Sequence, residues 1–107
     1  MKIIKILLVM IYLCGGELLA QWIQISYPDG GQITSIISKE NNLFVSNNSQ
    51  GVYLSTDNGD SWSAVNSGIS TTNIQDLLVK ENFIYACTYN GGVFLSSDNG
   101  SSWVAVN

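Results

Sequence analysis

The chain has 107 residues, of which 46% are hydrophobic and only 11% are charged, and its net charge is −4. It contains no Arg and no His, so it offers no basic surface for nucleic acid. Its two cysteines are Cys14 and Cys87. Because Cys14 lies in the N-terminal segment, the remainder has a single thiol, and a disulfide framework is excluded.

Residues 1–20 have the pattern of a secretory signal peptide. Lys2 and Lys5 precede the apolar run 6–13, which is too short to span a bilayer. Ala20 is the predicted last residue before cleavage. We therefore expect a secreted protein, extracellular or periplasmic, with no membrane attachment once the signal is removed.

A lipoprotein with an acylated Cys14 is the alternative, although Leu13 stands where such sites prefer a small residue. After cleavage, residues 21–107 carry two Lys against seven acidic residues, a net charge of −5. This acidity is typical of soluble extracellular proteins whose acidic side chains lie in turns.

A nine-residue sequence at Ser55–Ser63 recurs with few changes at Ser96–Val104. Both copies fit Ser-x-Asp-x-Gly-x-x-Trp, and we call them the Ser-x-Asp motifs. The wider segments 39–66 and 80–107 are identical at 15 of 28 positions. A period of about 40 residues, filled with short strands, indicates supersecondary units that stack on one another.

Each repeat predicts four strands, because its apolar segments are rich in β-branched and aromatic residues and are separated by Gly- and Asn-containing turns. The predicted strands are Ile33–Ser38, Leu43–Asn47, Gly51–Ser55 and Trp62–Val65, then Ile74–Val79, Phe83–Thr88, Gly92–Ser96 and Trp103–Val106. Trp22 precedes Trp62 by nearly one repeat and predicts one leading strand.

The expected fold is therefore all-β, a partial β-propeller that spans residues 21–107. It has two four-stranded antiparallel blades, 33–66 and 74–107, and one leading strand before them. Two blades leave open sheet faces, which propellers remove by closing a ring. A truncated piece of a longer propeller is the favoured interpretation, so its partners would be the remaining blades of a longer chain. Self-association is the alternative.

The residue types of the motif have a structural explanation. Asn-Gly tolerates the positive φ of a tight turn, Asp and Ser can bind backbone N–H groups there, and Trp supplies a large apolar ring between blades. The predicted structural residues are Ser55, Asp57, Gly59, Trp62, Ser96, Asp98, Gly100 and Trp103.

These motifs resemble the Asp-box, or bacterial neuraminidase repeat. The segments 83–86 and 91–96, which precede the second motif, extend this resemblance. Together with the motifs, they are similar to secreted propellers of the photosystem II stability/assembly factor type and to sortilin-like and xyloglucanase-like propellers. The resemblance covers nearly all of 22–107. It implies a hairpin between the third and fourth strands of each blade, away from the central site, and it implies no particular activity.

No catalytic, cofactor-binding or metal-binding residue is assigned. Cys87 is expected to be a small core residue, since no His is present to activate it. The sequence Asp57–Asp60 matches only part of a calcium loop, and the two glycosylation sequons, 47–49 and 99–101, are also ordinary turn sequences.

The predicted function is a secreted structural or binding module for a protein or glycan, with no enzyme activity favoured for this segment. Ligand contacts are expected from the turns 47–50 and 89–91, and from 27–30. The alternative is a fragment of a xyloglucanase-like or sialidase-like glycoside hydrolase, whose acids would lie on other blades or at Asp76, in a predicted inner strand.

Overall fold

The computed structural model describes the backbone of residues 2–12 and 18–27, and both the backbone and the side chains of residues 31–107. At the N-terminus, β1 (Lys2–Tyr12) pairs with β2 (Leu18–Tyr27) in a separate two-stranded antiparallel sheet. β2 contains the predicted leading strand around Trp22. It is longer than predicted, and it pairs with residues that the sequence assigns to a signal peptide.

Two four-stranded antiparallel sheets follow, and each is one blade. Blade 1 consists of β3 (Ile33–Lys39), β4 (Asn42–Asn47), β5 (Gly51–Ser55) and β6 (Ser63–Ala64). Blade 2 consists of β7 (Ile74–Lys80), β8 (Phe83–Thr88), β9 (Val93–Ser96) and β10 (Val104–Ala105). In both blades the strands neighbour one another in chain order, so every connection is a hairpin. The all-β fold with two four-stranded blades is thus confirmed.

The outermost strands are shorter than the sequence predicts. β6 and β10 have two residues each, because the predicted first residue, a Trp, and the predicted last residue, a Val, both lie outside each strand. One backbone hydrogen bond extends each pairing: Val65 N–H donates to the Val52 carbonyl, and Val106 N–H donates to the Val93 carbonyl, both at 2.9 Å.

The main core lies between the two blades. Phe44 and Val52 of blade 1 are fully buried there with Ile74, Ile84 and Ala86 of blade 2. The antiparallel register explains this layer: Ile37, Phe44 and Leu54 are paired across β3, β4 and β5 and therefore share one face of blade 1. Blade 2 packs against that face with its opposite side, which carries Leu77, Ile84, Ala86 and Phe94.

Polar contacts join the blades beside this core. The Thr34 hydroxyl donates to the Ile74 carbonyl at 2.9 Å and lies 2.7 Å from the hydroxyl oxygen of Ser46. Lys39 Nζ donates to Asn99 Oδ1 at 2.6 Å. The bonds from Thr34 to Ile74 and from Lys39 to Asn99 fix how the two sheets are placed relative to each other, because each joins a residue of blade 1 to one of blade 2.

The strand directions give each blade two ends. The motif end carries the Ser-x-Asp motifs and the short turns after β3 and β7, at Glu40 and Glu81, both with φ 57°. The loop end carries the turns 47–50 and 89–91 and the connection 70–73 between the blades. The described part of the chain contains no helix with the length and apolar character needed to cross a membrane.

Candidate functional site

In blade 1 the Ser-x-Asp motif forms the hairpin between β5 and β6. Ser55 Oγ accepts a hydrogen bond from Gly59 N–H at 2.8 Å and donates one to Asp57 Oδ1 at 2.8 Å. Asp57 Oδ1 also accepts from Ser61 N–H at 2.9 Å, and Asp57 Oδ2 accepts from the Ser61 hydroxyl. Asn58 and Gly59 have φ of 61° and 91°, which is the conformation that an Asn-Gly turn favours.

Blade 2 repeats this turn bond for bond. Ser96 Oγ accepts from Gly100 N–H at 2.8 Å and donates to Asp98 Oδ1 at 2.9 Å. Asp98 accepts from the backbone and hydroxyl of Ser102 at 2.9 and 2.6 Å. Both carboxylates therefore serve their own turns, which is a structural arrangement.

The same hydrogen bonds stabilise the ionised form of each carboxyl group. Those from the Ser61 hydroxyl, the Ser61 backbone and the Ser55 hydroxyl lower the pKa of Asp57 from 3.8 to about 2. The Ser102 hydroxyl, followed by the Ser102 backbone and the Ser96 hydroxyl, lowers the pKa of Asp98. A general acid near neutral pH needs a raised pKa, so neither group is prepared for that role.

The two motif tryptophans have different surroundings. Trp103 is only 3% exposed, lies in the core between the blades, and donates from Nε1 to the Val65 carbonyl at 2.8 Å. Its own N–H donates to the Ser67 carbonyl at 2.8 Å. Trp62 is half-buried. Trp103 thus holds blade 2 to the end of blade 1.

At the loop end, the connection between the blades binds both neighbouring turns. The Thr72 hydroxyl donates to the Ser49 carbonyl at 2.9 Å, and the Thr72 carbonyl accepts from Gly51 N–H at 2.9 Å. On the other side, Tyr89 N–H donates to the Asn73 carbonyl at 3.0 Å. The predicted contact regions 47–50 and 89–91 therefore belong to one continuous surface. Residues 28–30 of the third predicted region lie outside the described residues.

This surface is polar and uncharged. Its three segments contain only Asn, Ser, Gln, Thr, Tyr and Gly. Asn47 is fully buried, and its Oδ1 accepts from Gln50 N–H at 2.7 Å, so the turn 47–50 has a fixed shape. Tyr89 is 67% exposed and presents its ring at the edge of the surface. Such a surface can form many neutral hydrogen bonds around one aromatic contact.

The remaining candidates do not form a second site. Asp76 lies exposed in β7, opposite Cys87 in β8, and its Oδ1 accepts from Leu77 N–H at 2.9 Å. Within the described residues, no three His, Cys, Asp or Glu side chains are grouped so that they could hold a metal ion.

Cys87 corrects an expectation. It is a free thiol and is half-buried, whereas its counterpart Ser46 is completely buried. The strand pattern placed Cys87 in an apolar strand but did not show that its side chain lies on the side of blade 2 that faces away from blade 1.

Sequence reasoning also missed two asparagines at equivalent positions. Asn66 Oδ1 accepts from Val52 N–H at 2.7 Å, and Asn107 Oδ1 accepts from Val93 N–H at 2.8 Å. Each side chain thereby supports the start of the third strand of its blade. Asn66 and Asn107 are separated by the same number of residues as the two Ser-x-Asp motifs. This equal separation could have identified them from the sequence as equivalent positions of the repeat.

Comparison with known proteins places this fold in a family. The family model described as the DUF6242 beta propeller domain matches residues 16–107, which is most of the chain and all of both blades. No curated protein and no solved structure gives a significant match. With its two repeated four-stranded blades, the chain belongs to the DUF6242 β-propeller domain family.

Proposed function

We propose that this chain is a secreted propeller module that binds a neutral carbohydrate through the loop end of its blades. The observation that carries the proposal is the uncharged surface in which Thr72 and Asn73 bond to the turns on either side. Ligand contacts commonly lie on loops that a rigid scaffold holds in place, and this surface has that support.

The composition of the surface favours a hydroxyl-rich, uncharged ligand. Ser, Thr, Asn and Gln both donate and accept hydrogen bonds, as sugar hydroxyls do. The exposed Tyr89 ring adds a rigid, partly apolar contact at a low cost in side-chain entropy. No Lys or Arg occurs in the three segments, so an anionic ligand has no counter-charge there.

The motif end supports a structural role for the two blades. Asp57 and Asp98 are occupied by hydrogen bonds within their own turns. A glycoside hydrolase needs two carboxyl groups that face the scissile bond, and of the described acids only Asp76 lies on an inner strand. The hydrolase alternative therefore has no observation that favours it, and binding remains the proposal.

The test is binding of the full chain to a panel of neutral glycans, with sialylated glycans as the comparison. Tyr89→Ala should weaken binding of a neutral glycan at least about tenfold, which corresponds to about 1.4 kcal/mol. Val104→Ala is the matched control, because Val104 is 59% exposed but lies near the motif end. Absence of binding to every neutral glycan, or binding that Tyr89→Ala leaves unchanged, would overturn the proposal.

A further inference from the structure

The chain contains three Asn-Gly pairs, and the structure describes a turn around each of them. The side-chain amide of an Asn can be attacked by the backbone nitrogen of the next residue, and a following Gly has no Cβ to hinder this approach. The same dipeptide gives all three sites a similar intrinsic tendency to deamidate, so their surroundings distinguish them. The pairs are Asn58-Gly59, Asn90-Gly91 and Asn99-Gly100.

The reaction needs only water and hydroxide. The Gly nitrogen loses its proton to hydroxide and bonds to the Asn Cγ, while the bond between Cγ and Nδ2 breaks and the amide nitrogen leaves as ammonia after taking a proton from water. Water then opens the cyclic imide at either carbonyl and gives Asp or isoaspartate. The Gly nitrogen must therefore be released from its hydrogen bond and reached by solvent, and the Asn side chain must be able to turn toward it.

Asn99 is held at both reacting groups. Gly100 N–H donates to Ser96 Oγ at 2.8 Å, and both Gly100 and Ser96 are buried. Asn99 Oδ1 accepts from Lys39 Nζ at 2.6 Å, and the Lys39 side chain is only 10% exposed. The attacking nitrogen is enclosed and the side chain is fixed, so Asn99 has the strongest protection of the three.

Asn58 is held at one reacting group. Gly59 N–H donates to Ser55 Oγ at 2.8 Å, and both residues are buried. The Asn58 side chain is exposed and has no hydrogen bond within the described residues. It can turn toward the backbone, but the nitrogen that it needs stays enclosed, so its protection is intermediate.

Asn90 has the weakest protection. It is exposed in the turn after β8, and its side chain makes no hydrogen bond in the part of the chain that the structure describes. Gly91 N–H donates to Thr88 Oγ1 at 2.8 Å, but Gly91 and Thr88 are both half-buried. Solvent therefore reaches this hydrogen bond, whereas those of Gly59 and Gly100 are enclosed.

The exposure of Asn90 does not depend on whether another blade packs beside blade 2. Its counterpart in blade 1 is Ser49, which is exposed although blade 2 is packed against blade 1. The connection between the blades contacts that turn at its backbone, where the Thr72 hydroxyl donates to the Ser49 carbonyl at 2.9 Å. A neighbouring blade thus supports the turn and leaves its tip in solvent.

We propose that Asn90 is a modification site, which deamidates spontaneously ahead of Asn58 and Asn99 and thereby places a negative charge in the uncharged surface at the loop end. Asn90 follows the exposed Tyr89 directly. A carboxylate replaces the neutral amide, and isoaspartate also lengthens the backbone of the turn 89–91. The consequence for binding rests on the proposed function: the modified protein binds a neutral glycan more weakly.

Peptide mapping by mass spectrometry tests the order of the three sites in the folded full chain during incubation at mildly alkaline pH. The mass change for the exchange of ammonia for water should appear first at Asn90, at a rate about tenfold or more above that at Asn99, with Asn58 between them. Equal rates at all three sites, or Asn99 ahead of Asn90, would overturn the proposal.

The same incubation in denaturant is the control. Without the folded structure the three rates should approach one another, because each Asn is followed by Gly. An order that persists unchanged in denaturant would show that the flanking sequence determines it, and the structural explanation would be wrong.

Ser96→Ala tests the protection by the hairpin. It removes the acceptor of Gly100 N–H and should raise the rate at Asn99 several-fold, while the rate at Asn90 stays unchanged. Circular dichroism and a cooperative thermal transition show that the variant is folded. An unchanged rate at Asn99 in the folded variant would contradict the protective role of this hydrogen bond.

Asn90→Gln separates the modification from the proposed function. Gln keeps an uncharged amide but must close a larger ring, so it deamidates far more slowly. Incubated wild-type protein should bind a neutral glycan several-fold more weakly than fresh protein, whereas incubated Asn90→Gln should keep its affinity. Equal loss of binding in both would overturn the effect of Asn90 on the surface. Fresh protein that binds no neutral glycan would reject the proposed function, while the order of deamidation would still decide the modification site.

Discussion

The two blades share 15 of 28 residues over the repeated segments, and they agree in their hairpins but differ in the burial of their packing faces. Their Ser-x-Asp hairpins have matching hydrogen bonds with lengths equal to within about 0.1 Å at the serine and backbone contacts. Their equivalent faces differ in burial: Ile37 and Val65 of blade 1 are half-buried, whereas their counterparts Leu78 and Val106 in blade 2 are exposed. Local sequence therefore determines the turn, while the presence of a neighbouring blade determines burial.

This difference predicts that changes at the junction of the blades will cost more stability than changes in the hairpins. The largest effect is expected at Gly68, which has φ of 98°, in the connection between the blades. A Cβ added there would clash with the backbone carbonyl oxygen of Trp103. Gly68→Ala should lower the free energy of unfolding by about 3 kcal/mol or more, measured by denaturant titration. Ser67→Ala, on an exposed neighbour, is the control and should have little effect.

A smaller but asymmetric effect is expected at the two motif tryptophans. Trp103→Phe removes the Nε1 donor and leaves the Val65 carbonyl in the blade junction without it, at a cost of about 1–3 kcal/mol. Trp62→Phe should cost less, because Trp62 is half-buried. Thermal unfolding of both variants measures the difference. Equal losses of melting temperature would show that the blade junction does not account for the role of Trp103.

The smallest effect is expected in the hairpins and should be the same in both blades. The pKa of Asp57 is lowered from 3.8 to about 2, and the pKa of Asp98 is also lowered. A depressed folded-state pKa contributes stability above the unfolded value, and this contribution is lost as pH falls through the folded value. Melting temperature should thus decline between about pH 4 and pH 2.

Asp57→Asn and Asp98→Asn should each remove part of this decline while changing the melting temperature only modestly at neutral pH. The exposed Asp60, replaced by Asn, is the control, because its counterpart is Ser101 and the turn forms with either residue. If the two motif variants had different acid profiles, the equivalence of the hairpins would be wrong.

Much of the fold follows from the sequence. The repeat period, the strand residues and the Asn-Gly turns predict two four-stranded blades and the hairpin between the third and fourth strands. These are local features, so sequence patterns contain them. The ends of β6 and β10 were less predictable, because the Trp at each predicted strand start lies outside the ladder.

The candidate site was only partly predictable. Turn residues identified 47–50 and 89–91 as loops, but their connection through Thr72 and Asn73 depends on how two sheets pack, which no local pattern contains. The burial of Ser46 and the partial exposure of Cys87 were missed for the same reason. The hydrogen bond from Lys39 to Asn99 joins residues far apart in the chain and required the structure.

The contacts of Trp103 also have a consequence for the order of folding. Its backbone N–H and its indole N–H both bind carbonyl groups near the end of blade 1, at Ser67 and Val65. During synthesis the N-terminal part of a chain emerges first, so blade 1 is complete before Trp103 exists. The junction is therefore sealed last, by contacts that close a loop containing all of β7, β8 and β9. Until then, Ile74, Ile84 and Phe94 can already cover the apolar side of blade 1, but the core between the blades lacks its largest aromatic ring.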